Sequence, residues 1–341
     1  MSTPRMLHIA QKGRDRRAWP EIMVRAVGEI GAFEVIEQGG QMDEDALAAR
    51  IREADVLLTG WGSARIPEAV AADPGNLRYV CNLTGSVRAS VPLAIVEAGI
   101  PVTNWGDAIA VCVAEGAMAL LLAVLKDLRA HIRLIEKGGW HRDETAYGGT
   151  LEGAPVGIYG CGAIARAFID MIRPFGPVLH VFDPYVETLP DGCQRAETLE
   201  ALFDRSRIVA IHAGLSEETT GSVTADLLAR LPRHGIVINT ARGAIVDQDA
   251  LFRELESGRL RAGLDVLSPD RLPDGHPARQ WENVIFTAHQ VGDVVYGWPM
   301  DGAPPAELTP FQKVCLDNLR RFTAGEPLRY RMDRDRYLRS T

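Results

Sequence analysis

Residues 154–172 read APVGIYGCGAIARAFIDMI: an apolar run, a glycine-rich turn, then a helical pattern. Val156 to Tyr159 is short and apolar, as a buried strand requires. Gly160, Gly162 and Ala165 follow at the spacing Gly-x-Gly-x-x-Ala. The first glycine permits a tight turn, the second lets backbone approach a pyrophosphate, and the third small residue lets helix pack on strand. Ile164, Phe168, Ile169 and Ile172 recur at helical spacing. The turn therefore opens a helix, whose unpaired N–H groups and positive dipole end suit phosphate. A second strand pattern, VLHVFD, ends on Asp183, where a carboxylate binds both ribose hydroxyls and repels a 2′-phosphate. Strand, turn, helix, strand and acid together predict a site for NAD.

On the N-terminal side, residues 6–104 alternate strand and helix signals. RMLHIA, FEVIE, DVLLTG, LRYVCNL and IPVTN read as strands, with WPEIMVRAVGEIG, DEDALAARIREA and VPLAIVEAG as helices between them. Such alternation predicts a parallel sheet covered on both faces. The loop LTGSVRAS, residues 83–90, lies between a strand and a helix. Exposed N–H groups at Gly85, Ser86 and Val87 would hold an anion there. One long apolar helix is expected from Asp107 to Lys137, followed by the polar connection KGGWHRDETAYGGTLEG. Past Asp183, the stretches IVAIHAG, GIVINTAR, RAGLDV and NVIFTAH read as strands, with TADLLARLP and QDALFRELESG as helices. A last helix, PFQKVCLDNLRRF, is expected to return to the first domain. The fold class expected is α/β: two doubly wound parallel-sheet domains with an active-site cleft between them. Residues 1–104 with 298–341 would bind substrate, and residues 105–297 would bind the cofactor.

Composition narrows the function. A length of 341 residues suits two domains, and 46% hydrophobic content provides real cores. A net charge of −8 argues against nucleic acid as a partner. The cysteines at 81, 112, 161, 193 and 315 are scattered, which predicts reduced thiols in a cytoplasm and no metal site. The most apolar run, Val111 to Leu125, contains Glu115 and falls short of the roughly 20 residues that span a bilayer. No membrane partner is expected, and charges in the first thirty residues argue against a signal peptide.

Three strand patterns run into polar residues: GIVINT into Arg242, RAGL into Asp265, and NVIFTA into His289. Ligands of open α/β sheets bind outside the carboxyl ends of the strands, so all three residues are expected at one edge. Arg242 would grip a carboxylate with its planar fork. His289 would exchange the hydroxyl proton while hydride moves to or from the nicotinamide. Singly, these residues have plainer readings: a solvated arginine, a turn aspartate and a core histidine.

These motifs resemble the D-isomer-specific 2-hydroxyacid dehydrogenases over nearly the whole chain. The resemblance rests on LTGSV, VAE (113–115), GCGAIA (160–165), VFDPY (181–185), IHAGLSEET (211–219), INTARGAIVD (238–247), AGLDV (262–266) and HQVG (289–292). It implies a flavodoxin-like substrate domain, a Rossmann NAD-binding domain and a homodimer contacting through the helix after Asp107. It also implies catalytic roles for Arg242, Asp270 and His289. Gly160, Gly162, Ala163, Ile164, Asp183, Thr240, Ala241, Asp265 and Gly292 would bind the cofactor. Gly85, Ser86 and Val87 would hold the substrate carboxylate. Arg88 stands where many relatives carry Asp, and its charge is expected to select a second anionic group, unless it is a solvated surface arginine. The family usually carries Glu-Pro where this chain has Asp270-Arg271, Pro-His where it has Ala288-His289, and Pro at Gly214. The alternatives are an enzyme for a phosphorylated or phosphonate acid and a non-catalytic NAD(H) sensor.

Overall fold

A computed structural model of the chain describes residues 3–13, 15, 18–140, 148–292 and 307–339. The chain divides into two compact units, Met1–Ile109 with Val294–Thr341, and Ala110–Asp293.

In the first unit, β1 (Arg5–Ile9), β2 (Ala32–Ile36), β3 (Val56–Thr59), β4 (Tyr79–Asn82) and β5 (Val102–Thr103) form a parallel sheet. The order is β2-β1-β3-β4-β5. Helices α1 (Glu21–Gly28), α2 (Glu44–Glu53), α3 (Ala69–Ala72) and α4 (Leu93–Glu97) connect them. Strands β3 and β4 are buried along their length, which is why they read as unbroken apolar runs, not alternations.

The second unit begins with α5 (Ala110–Leu125) and α6 (Leu128–Glu136). The single helix expected over Asp107–Lys137 is thus two. Asp127 adopts the left-handed conformation, φ 58°, between them. Its carboxylate lies 2.5 Å from the guanidinium of Arg261, which also donates to the Val124 carbonyl. Both charges are buried, and a buried carboxylate needs such a partner. The sheet follows with β6 (Pro155–Tyr159), β7 (Val178–Phe182), β8 (Cys193–Arg195), β9 (Ile208–Ile211), β10 (Gly235–Asn239), β11 (Leu260–Leu264) and β12 (Val284–Phe286). Helices α7 (Ala163–Ile172), α8 (Leu199–Asp204), α9 (Ala225–Arg230) and α10 (Gln248–Glu256) cover it. All strands are parallel, in the order β12-β11-β10-β9-β6-β7-β8. The direction of winding reverses between β6 and β9, so this is the switch point at which such sheets bind ligands.

The chain ends with α11 (Pro310–Ala324) and α12 (Arg334–Arg339) in the first unit. Cys315, Leu316 and Leu319 of α11 pack with Met6, Trp19 and Tyr79.

Candidate active site

At the switch point, Gly160 turns at φ 88°. A side chain's first carbon there would stand 2.6 Å from the Ala213 amide nitrogen, so only glycine fits both the angle and the contact. Gly162 caps α7, no side chain satisfies the first-turn N–H groups, and the space before Gly162 is open. Ala163 and Ile164 are the first residues of that helix. Asp183 follows β7 and accepts from the Cys161 N–H at 2.7 Å and the Tyr185 N–H at 2.9 Å. Its carboxylate is thereby fixed beside the turn. An anion-binding helix end, a cramped glycine and a fixed acid are what a dinucleotide requires. At the end of β10, the buried Thr240 hydroxyl has no hydrogen-bond partner among the described residues. This orphaned donor also fits a bound ligand.

Two arginines missed by the sequence reading stand near Asp183. Arg195 donates to the carbonyls of Asp183, Val186 and Glu187, and Arg166 donates to that of Thr188. Arg195 is committed to backbone of the loop after β7, whereas Arg166 is exposed and makes its hydrogen bond at 3.3 Å.

Arg242, Asp270 and His289 come together in the second unit. His289 Nδ1 lies 2.5 Å from Asp270 Oδ2. Burial pushes the Arg242 guanidinium below its ordinary pKa, and the nearby Asp270 charge opposes that. Asn239 builds the turn that presents Arg242: it accepts from the Ala241 N–H and donates to the Arg242 carbonyl, both at 3.0 Å. A first side-chain carbon at Gly243 would stand 2.1 Å from the carbonyl carbon of Leu267. Bare backbone is needed there, and it seats the Arg242 turn against the loop that carries Asp270. Asp270 folds back to accept the Leu267 N–H at 3.0 Å.

Asp265 does something the sequence reading did not foresee. Its Oδ1 accepts from the Thr287 hydroxyl at 2.6 Å and from the N–H groups of Gln290 and Val291 at 2.9 and 3.1 Å. The His289 N–H donates to its carbonyl at 2.6 Å. This buried carboxylate therefore fixes the loop that carries His289. Gly292 lies against α5, where a first side-chain carbon would stand 2.6 Å from Val113.

In the first unit, the loop after β4 has its carbonyls tied back. Asn82 Nδ2 donates to Thr84 and Ser86, and Asn104 Nδ2 donates to Gly85 at 2.7 Å. Among the described residues, the N–H groups of Gly85, Ser86 and Val87 have no acceptor. They form the kind of concavity that holds an anion. Arg88, expected to select a second anionic group, is engaged within the first unit. Its guanidinium donates to the carbonyls of Tyr337 and Leu338 and lies over the Tyr337 ring. These contacts anchor α12, because helix-end carbonyls lack intrahelical donors.

Fold and site define an oxidoreductase that works with a nicotinamide dinucleotide. The chain belongs to the D-isomer specific 2-hydroxyacid dehydrogenase family, whose NAD-binding-domain model matches residues 118–291. It is 30% identical over 254 residues to the glyoxylate reductase of Thermofilum pendens, covering 72% of this chain and 74% of that protein. It is 28% identical over 276 residues to the D-3-phosphoglycerate dehydrogenase of Methanocaldococcus jannaschii, covering 79% of this chain and 51% of that protein. The match thus spans about half of the latter's length. A solved 2-hydroxyacid dehydrogenase from Ketogulonicigenium vulgare has the same fold: TM-score 0.78 at 21% identity, over 97% of this chain and 99% of that one.

Proposed function

We propose that this chain interconverts 2-oxo acids and D-2-hydroxy acids, using NAD(H). The observation that carries this is the Asp270–His289 pair at 2.5 Å beside Arg242. Asp270 holds Nδ1, which leaves Nε2 to meet the substrate. In reduction, His289 gives the Nε2 proton to the carbonyl oxygen; in oxidation, it takes the hydroxyl proton back. Arg242 holds the carboxylate with parallel N–H groups, which fixes the reacting carbon. In the first unit, the N–H groups of residues 85–87 are a second place for a carboxylate. The dinucleotide supplies or accepts the hydride at its nicotinamide ring.

Asp183 supports NAD(H) over its 2′-phosphorylated form, since the phosphate would meet a carboxylate. The nearby Arg195 is bound to loop carbonyls and offers that phosphate little. With Arg88 anchoring α12, a substrate bearing a second anionic group has no support from that residue. A homodimer is supported by Leu128, Ile132 and Ile135 of α6, which are exposed at helical spacing. Surface of this kind marks association sites.

The test is oxidation of NADH, followed optically, against a panel of 2-oxo acids. Turnover is expected with at least one of them, and NADH is expected to exceed NADPH in kcat/KM on the order of tenfold or more. Binding of NADH without turnover of any 2-oxo acid would mark a nucleotide sensor.

A further inference from the structure

We propose that Trp61 and Trp105 form the wall against which the substrate's side chain packs. The substrate is then a 2-oxo acid with a bulky apolar or aromatic group on C3, and glyoxylate is a poor one. This inference rests on the oxidoreductase reading above and narrows its substrate.

Trp61 sits at the tip of a turn at the carboxyl end of β3, between Gly60 and Gly62. The Gly60 N–H donates to Ser63 Oγ at 2.8 Å, the Ser63 N–H to the Gly60 carbonyl at 3.2 Å, and the Gln11 N–H to the Gly62 carbonyl at 2.7 Å. The turn is therefore pinned on both sides. Trp61 nevertheless remains 41% exposed, so the core does not use its full surface.

The indole is held edge-on by two other rings. Trp61 lies 5.6 Å from Trp105 and 5.8 Å from Phe311, and Trp105 lies 5.7 Å from Phe311. Trp105 in turn rests on the anion loop. A first side-chain carbon at Gly85 would stand 2.7 Å from its Nε1, and the neighbouring Asn104 grips the Gly85 carbonyl. The aromatic surface thus begins where the unpartnered N–H groups of Gly85, Ser86 and Val87 end. A carboxylate held by those groups carries its C3 substituent beside the two indoles, and a preordered wall binds such a group at little entropic cost.

Among the described residues, the arginines around this loop are already engaged. Arg65 donates to the Arg88 carbonyl, Arg88 to the carbonyls of Tyr337 and Leu338, and Arg336 to Asn104 and the Arg331 carbonyl. Each of these cations already has backbone or amide acceptors.

The test compares phenylpyruvate with glyoxylate as substrates of the NADH-loaded protein. Wild type is expected to favour phenylpyruvate in kcat/KM by on the order of tenfold or more. Trp61→Ala should cut that ratio ten- to a hundredfold, and Trp61→Phe should restore most of it, on the scale a hydrophobic pocket discriminates. A ratio unchanged in Trp61→Ala, or a wild type that prefers glyoxylate, overturns the proposal. A second arm measures calorimetric binding of 3-phenylpropanoate and acetate to the protein with NAD. Tighter binding of 3-phenylpropanoate, lost in Trp61→Ala, supports the wall even if no 2-oxo acid is reduced; equal binding of the two overturns it. Absence of all turnover would instead count against the oxidoreductase reading.

Discussion

Ala288 and His289 both adopt positive φ, 54° and 58°. For residues bearing a side chain, this conformation costs about 1–2 kcal/mol each. Asp265 offsets that cost through its bonds to Thr287, Gln290 and Val291. The sequence departure at position 288 now has a physical meaning. Proline is locked near φ −65° and cannot take the Ala288 conformation. Ala288→Pro, although it restores the usual family residue, should therefore lower kcat/KM by at least about tenfold, whereas Ala288→Gly should be tolerated. Full activity in the proline variant would show that the loop works in another form. At position 270, the shorter Asp reaches His289 because its loop folds back on Leu267. Asp270→Asn keeps an acceptor for Nδ1–H but removes the charge that balances a protonated ring. Reduction, which needs that protonated ring, should fall on the order of ten- to a hundredfold. Oxidation should fall less, and equal losses in both directions would remove Asp270 from this role.

At the scale of elements, the end of β9 carries a pH-dependent part of the stability. His212 packs 5.0 Å from Phe168 of α7, and neither ring nitrogen reaches solvent or a partner among the described residues. Burial lowers its pKa to about 4, against about 6.5 in an unfolded chain. Above pH 6.5 the ring is neutral in both states, so folding is undisturbed. As pH falls from 6.5 towards 4, the unfolded chain takes up a proton that the folded ring refuses. Stability should drop over that window by up to about 3 kcal/mol. Thermal unfolding of wild type and His212→Gln between pH 7 and pH 4 measures this: the variant should lose less stability on acidification. Identical slopes would place the acid sensitivity elsewhere.

For the whole molecule, the prediction is self-association. Leu128, Ile132 and Ile135 recur four and three residues apart on α6, and each is close to half exposed. That spacing puts them on one face. Burying such a stripe against a second copy supplies the favourable term for assembly. Wild type should therefore elute as a dimer, and Ile132→Glu should shift it toward the single chain. Elution of wild type as a single chain would exclude this interface at the concentration tested.

The strands and the dinucleotide turn were legible in the amino-acid order because they depend on local rules. A fully buried parallel strand must be an apolar run, and a backbone at φ 88° against Ala213 must be glycine. Arg242, Asp265 and His289 were legible as strand-end polar residues for the same reason. Three-residue β8, Cys193–Arg195, has no apolar run to announce it, since only one neighbouring strand pairs with it. Tertiary structure alone decided the partners of each charge. Asp265 holds the His289 loop, Arg88 anchors α12 some 250 residues away, and Arg261 fixes the break between α5 and α6. Local sequence sets where a side chain starts, but hydrogen bonds are satisfied by whatever the folded chain brings within reach.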